Sequence, residues 1–343
     1  MNMKAIVFEG SDKPLALREL AVPVPGPGQL LLKVSACGIC GSDLHAYKTS
    51  LTEENIVFGH EFSGSVEAIG DGAIGDWKVG DRVIALGAML CGQCPACERG
   101  QPEQCEKLES IGFTRDGAYA EYVLTHSALT IKIPEDIDDR QAALVEPLAV
   151  GLTAIKDCKL PMGGNVLVIG AGIIGIAVAK WARFFGAENI GISDLENSRL
   201  ERAKAVGATM TINAKENPDP VQAFLEATGQ TPDAIVECVG RPMLKGLVEM
   251  APAGAHIVVL GASMQEEPIS SLAAAQKKVR MTFSFGYELP DFDFIVRMIS
   301  AGRVSTDKLI TQSVGLDETP QVFAELMKPN DHCKVLIEPG IDF

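Results

Sequence analysis

Positive charge is scarce in this 343-residue chain: 30 Lys and Arg stand against 45 Asp and Glu, a formal net charge of -15. Nucleic acid and anionic lipid surfaces are bound through basic side chains that displace counterions, so neither is an expected partner. Long apolar runs are also missing. No stretch approaches the roughly 20 residues that span a bilayer, and 47% apolar with 22% charged residues is an ordinary globular composition. The amino terminus, Met1-Asn2-Met3-Lys4-Ala5-Ile6-Val7, has no basic region, apolar core and small-residue cleavage site in succession, which makes a cytoplasmic location the expectation. In that reducing compartment a disulfide framework is not expected either. The length suggests about two domains of roughly 150 residues.

Cysteine is present and unevenly placed. Of nine, six lie between Cys37 and Cys105, while Cys158, Cys238 and Cys333 sit singly in apolar surroundings, as small core residues do. Cys91-Gly92-Gln93-Cys94-Pro95-Ala96-Cys97 followed by Cys105 gives four soft ligands in one glycine- and proline-bearing lobe. That spacing points to a closed tetrahedral zinc site, which leaves no position for substrate and is therefore structural. A redox Cys-x-x-Cys pair is the weaker reading, because such pairs usually open a helix of a βαβ unit.

A second constellation precedes it. Cys37-Gly38-Ile39-Cys40-Gly41-Ser42-Asp43-Leu44-His45 brings a thiol, a hydroxyl and an imidazole together, and Gly59-His60-Glu61 adds another imidazole and a carboxylate. Cys40, His60 and Glu61 are ligand types that zinc accepts, and three protein ligands leave an open position for catalysis. Gly41-Ser42-Asp43 can also cap a helix, which is compatible with catalysis. Cys37 ends a strand, can equally point into a core, and is left out of the site.

From Met3 to about Leu148, short apolar or alternating runs such as 5–8, 30–34, 64–69, 82–86 and 118–124 are punctuated by glycine and proline, as in a β-barrel or sandwich. Beyond it, Val166-Leu167-Val168-Ile169 reads as a buried parallel strand leading into Gly170-Ala171-Gly172-Ile173-Ile174-Gly175. An apolar helix is expected over 176–185, so the Gly-x-Gly-x-x-Gly stands in the context of a dinucleotide site, with pyrophosphate on the helix amino terminus. A strand over 189–193 ends at Asp194, placed to accept hydrogen bonds from the adenosine ribose hydroxyls, which favours NAD. The expected cofactor-binding set is Gly170, Gly172, Ile173, Ile174, Gly175, Asp194 and Arg199. Further alternation through 198–206, 210–212, 221–227, 234–239, 255–261 and 279–285 predicts a doubly wound parallel sheet.

In motif order and content the whole chain resembles the zinc-dependent medium-chain dehydrogenases. Gly38 to His45 matches the family pattern Gly-x-Cys-Gly-Ser-Asp-x-x-His, and Gly59-His60-Glu61 its second metal motif. The resemblance implies a GroES-like β-barrel catalytic domain over residues 1–150, a Rossmann NAD-binding domain over 151–288, and a segment, 289–343, returning to the first. It implies Cys40 as metal ligand, and Ser42 and His45 as a proton relay. Val145-Glu146-Pro147 is similar to the Glu-Pro branch of polyol, butanediol and threonine dehydrogenases, where the glutamate after the histidine or the Glu-Pro glutamate touches the metal. Glu61 and Glu146 are therefore both expected ligands. A homodimer or homotetramer is also implied.

The expected activity is reversible oxidation of a secondary alcohol or vicinal diol by NAD. Zinc lowers the pKa of a bound hydroxyl from about 16 towards neutrality, and the proton leaves through Ser42, a cofactor ribose hydroxyl and His45. Phe285-Gly286-Tyr287 places glycine where polyol dehydrogenases commonly carry arginine, which argues against a long sugar alcohol. Phe113 and Phe285 are expected to hold the rest of the substrate. Polyol (sorbitol-like) or L-threonine 3-dehydrogenase activity is the alternative, and a non-catalytic NAD-sensing protein the rival from another class.

Overall fold

The computed structural model describes residues 1–49, 52–99, 101, 104–261, 263 and 265–341. It divides into two units: Met1–Glu146 with Phe292–Phe343, and Pro147–Asp291. Among the described residues no helix is long and apolar enough to cross a membrane.

The first unit is built on a sheet ordered Thr130–Lys132, Arg82–Ala85, Glu61–Ile69, Gln29–Gly38, Lys334–Ile337 and Ile310–Val314, with Tyr122–His126 also paired to Gln29–Gly38. Asn2–Phe8 pairs with Ala16–Ala21 and with Ile56–Val57 in a second sheet. Strand Lys334–Ile337 comes from the end of the chain, yet it hydrogen-bonds beside Cys37 and Gly38. Alternation on Gln29–Gly38 sends Leu30, Leu32 and Val34 into one core with Ile6, Phe8, Phe58 and Phe323. Cys37 joins that core and is fully buried.

The strand expected over 118–124 is displaced to Tyr122–His126. The backbone of Tyr119 pairs elsewhere, its amide donating to Phe58 O at 2.9 Å and its carbonyl accepting from Ile6 N at 2.8 Å. Glu146 and Pro147 lie in the first turn of helix Val145–Cys158, where proline is tolerated because the amide it lacks has no helical acceptor.

The second unit is a six-stranded, wholly parallel sheet in the order Met210–Asn213, Ile190–Asp194, Val166–Ile169, Ala234–Glu237, His256–Val259 and Arg280–Phe283. Val166–Ile169 is buried along its whole length, as a strand covered on both faces must be. The helix after it spans Ile173–Phe184, starting three residues earlier than the apolar pattern suggests, because Gly172 is its N-cap. The strand order reverses between Val166–Ile169 and Ala234–Glu237, the switch point at which open α/β sheets bind ligands.

Candidate metal centre and dinucleotide site

In the first unit two clusters of ligand-type side chains form, and no others were found among the described residues. Cys91, Cys94, Cys97 and Cys105 have sulfurs within 4.8 Å of one another. Measured pairs lie at 3.9 Å for Cys91 and Cys97, 3.5 Å for Cys94 and Cys97, and 3.6 Å for Cys105 and Cys91. Four sulfurs at the usual Zn–S length of about 2.3 Å sit about 3.8 Å apart in a tetrahedron, so this set fits a closed zinc site. Backbone amides of Cys97 and Glu106 lower the Cys94 thiol to about 6, while desolvation and the neighbouring thiols push Cys97 up to about 12.

The second cluster, Cys40, His60 and Glu61, also has its ligand atoms within 4.8 Å. Its members come from two places. Cys40 follows strand Gln29–Gly38, His60 precedes Glu61–Ile69, and Glu61 begins that strand directly opposite Gly38. Ser42 Oγ lies 3.1 Å from Cys40 Sγ and 3.4 Å from His60 Nε2. His60 Nδ1 faces the other way, 3.4 Å from the fully buried Asp43 Oδ1. That leaves Nε2 on the Cys40 side, as a ligating histidine backed by a carboxylate requires. Burial pulls the imidazole down, but the Asp43 carboxylate and Cys40 outweigh it and hold His60 well above its ordinary value. Burial, then the Glu61 charge, raises the Cys40 thiol. A thiol, an imidazole and a carboxylate side by side are a donor set that fits a zinc ion.

Glu61 has a partner the sequence did not point to. Lys334 Nζ donates to Glu61 Oε1 at 2.7 Å and Oε2 at 2.5 Å, and to Ile39 O at 2.9 Å. Both side chains are buried, at 1% and 0% exposure. Glu61 raises the Lys334 ammonium against the opposing pull of burial, and the Glu146 charge adds to it. A Cβ at Gly38 would lie 2.1 Å from Glu61 Oε2, so the absence of a side chain there makes room for the pair. Glu146 is buried at the start of helix Val145–Cys158 but is not among the three clustered ligands. Ser42 and His45 share helix Gly41–Thr49, three residues apart and so on neighbouring positions of its surface. Asp43 is one of the candidate helix caps. Its Oδ2 does accept from the Cys40 amide at 3.0 Å, while its other oxygen lies 3.4 Å from His60 Nδ1. Phe113 packs against the His60 ring with centroids 5.1 Å apart.

In the second unit the glycine fingerprint forms the turn between strand Val166–Ile169 and helix Ile173–Phe184, with Gly172, Ile173 and Ile174 at the helix start. A Cβ on Gly175 would lie 1.9 Å from Gly170 O, so only glycine lets the helix approach the strand this closely. Asp194 ends its strand with Oδ2 accepting from Ala171 N at 2.7 Å and Oδ1 from Glu196 N at 3.0 Å. The carboxylate thus braces the glycine turn. Arg199 lies on the following helix, Asn197–Ala205. Phe285 is almost fully exposed, and Gly286 follows it at positive φ.

Comparison with known proteins agrees with both halves. Residues 26–135 match the alcohol dehydrogenase GroES-like domain and residues 174–301 the zinc-binding dehydrogenase family. Sorbitol dehydrogenase of Bacillus subtilis (strain 168) is 30% identical, over 99% of this chain and 98% of its own. A solved structure from Sinorhizobium meliloti 1021, assigned as a zinc-binding dehydrogenase and bound to NADP, is 31% identical, covers 99% of this chain and 100% of its own, and superposes with a TM-score of 0.87. The structure of 2R,3R-butanediol dehydrogenase from Bacillus subtilis is 28% identical, with coverage of 98% and 100% and a TM-score of 0.85. With its barrel, its parallel-sheet unit and the residues that would hold zinc and a nicotinamide dinucleotide, the chain belongs to the zinc-containing medium-chain alcohol dehydrogenase family.

Proposed function

We propose that the protein oxidises a secondary alcohol or short vicinal diol to the ketone, reversibly, with NAD as hydride acceptor. The observation that carries this reading is the grouping of Cys40, His60 and Glu61 beside the Ser42 hydroxyl. A bound zinc supplies a Lewis acid that makes a nearby hydroxyl acidic at working pH. Cys40 and His60 would hold it, with Glu61 or Glu146 as the third ligand. Lys334 donates to both Glu61 oxygens, so Glu61 would have to share its charge between Lys334 and the metal. Ser42 would take the substrate proton and pass it through a cofactor ribose hydroxyl to His45 and solvent. Cys91, Cys94, Cys97 and Cys105 hold a second, structural zinc.

Residues 1–150 and 289–343 form the catalytic domain in this reading, and 151–288 the NAD domain. Gly170, Gly172, Ile173, Ile174 and Gly175 receive the pyrophosphate, Arg199 lies with them, and Asp194 selects NAD by repelling a 2′-phosphate. Phe113 and Phe285 contact the apolar remainder of the substrate. A cytoplasmic homodimer or homotetramer is the expected state: Arg280–Phe283 is an edge strand with Phe283 68% exposed, apolar surface that a second copy would cover.

The test is metal analysis of the purified protein with NADH formation on secondary alcohols, vicinal diols, long polyols and threonine. Two zinc ions per chain and preference for the first two classes are expected. Absence of NADH formation across the panel overturns the reading. Similarity to sorbitol dehydrogenase favours a second reading, polyol oxidation. A long polyol preferred by about 10⁴-fold, the worth of a hydroxyl partner built into a site, would establish it.

A further inference from the structure

We infer that Tyr119 is a positioning residue for the metal-binding pair Cys40 and His60, acting through Asp43. Its hydroxyl donates to Asp43 Oδ2 at 2.6 Å. The same oxygen accepts from the Cys40 amide at 3.0 Å, and the other oxygen faces His60 Nδ1 at 3.4 Å. One carboxylate therefore meets a phenol, the backbone of one ligand and the imidazole of another. All of it is out of water, since Tyr119 and Asp43 are both fully buried.

A buried carboxylate must have its lone pairs met, and it turns to whatever donors surround it. The phenol and the Cys40 amide together fix Oδ2, which leaves Oδ1 pointing at His60. His60 then keeps its proton on Nδ1 and its lone pair on Nε2, towards Cys40 and Ser42. Without the hydroxyl, Oδ2 retains one donor and the carboxylate is free to rotate.

The ring has a separate part. Gly59, the residue before His60, lies at φ +101°, and a Cβ there would fall 2.4 Å from Tyr119 Cδ1. The ring thus packs flush on the backbone that delivers His60. Tyr119 is itself pinned on both sides, its amide to Phe58 O at 2.9 Å and its carbonyl to Ile6 N at 2.8 Å. Phenylalanine would keep this packing and lose only the hydroxyl, so the two parts separate by one substitution.

The proposal rests on the reading that Cys40 and His60 hold a metal. The experiment follows chelator-driven zinc release with a zinc-responsive dye, expected to show a fast phase from the open site and a slow phase from the closed Cys91–Cys105 site. Tyr119→Phe should speed the fast phase by about 10-fold or more, the usual effect of losing an outer-shell partner. It should leave the slow phase unchanged and shift the visible spectrum of the Co²⁺-substituted enzyme. In an Asp43→Asn background the same substitution should add less than about 2-fold, because its target is gone. An unchanged fast phase, equal loosening of both phases, or a full additional effect in the Asp43→Asn background overturns the proposal. Should Tyr119→Phe not fold, 3-fluorotyrosine at position 119, a stronger donor of nearly the same shape, is expected to slow the fast phase, and no change there overturns it equally. A parent protein with one zinc and a single phase refutes the metal reading itself, whatever Tyr119 does.

Discussion

The two metal-type clusters of the first unit are built in opposite ways. Cys91, Cys94, Cys97 and Cys105 fall within 15 consecutive residues of one short lobe, with their sulfurs within 4.8 Å of one another. Cys40 follows one strand while His60 and Glu61 open another, and their charges are met by Asp43 from the helix beside Cys40 and by Lys334 from the last strand. The first cluster can be expected to fall apart without metal, since the lobe has little core of its own. The second stands on the apolar core of the first unit. A local site depends on its ion for structure, whereas a non-local one depends on the fold for its ligands.

The largest expected effect breaks this contrast if it is wrong. Cys40→Ser should lower turnover by at least about 10³-fold, equivalent to roughly 4 kcal/mol of transition-state stabilisation, with the folded content by circular dichroism unchanged. Cys105→Ser should do the reverse, opening the lobe to proteolysis while the remaining zinc and part of the activity persist. Equal loss of fold in both variants would end the distinction.

Next comes the buried ion pair. Lys334→Met strands the Glu61 charge, and breaking a buried pair from one side costs about 3–5 kcal/mol. Denaturant unfolding should show that loss, and Lys334→Met with Glu61→Gln should recover most of it. If the double variant is no better than the single, Lys334 does not act through Glu61.

Asp194→Ala tests the second unit. A like-charge pair at ~4 Å costs on the order of 4 kcal/mol at an effective dielectric of about 20, less after screening. The parent should therefore prefer NAD in kcat/KM and the variant should lose most of that preference. Equal efficiency of the parent with NADP removes Asp194 as the selector.

The smallest effect sharpens the comparison of buried carboxylates. Unlike Glu61, Glu237 is held by amides, Val239 N at 2.6 Å and Gly240 N at 2.9 Å. Burial, only partly offset by those amides, raises its pKa. A carboxyl whose folded pKa is raised binds its proton more tightly when folded. Its contribution is thus fully present below the unfolded value and lost as pH rises through the raised one. Glu237→Gln should flatten the fall in melting temperature from about pH 4 upward relative to the parent, and parallel curves would show that Glu237 carries no such linkage.

Much of this was legible in the order of residues. Cys-x-x-Cys spacing, the glycine fingerprint after an apolar strand, and the alternation of strands and helices are short-range patterns, and short-range patterns survive as sequence. The structure moved the strand expected over 118–124 because Tyr119 found backbone partners in Phe58 and Ile6, which lie far from it along the chain. What the sequence by itself determined was the chemistry available: four clustered thiols, a Cys40-Ser42-His45 run, His60 with Glu61, and a turn able to take a dinucleotide. What only the tertiary structure decided was which of these meet, and under what constraint. Lys334 reaches Glu61 across 273 positions and Tyr119 reaches Asp43 across 76. A buried charge takes its partner from whatever the fold packs against it, and no local pattern records that choice.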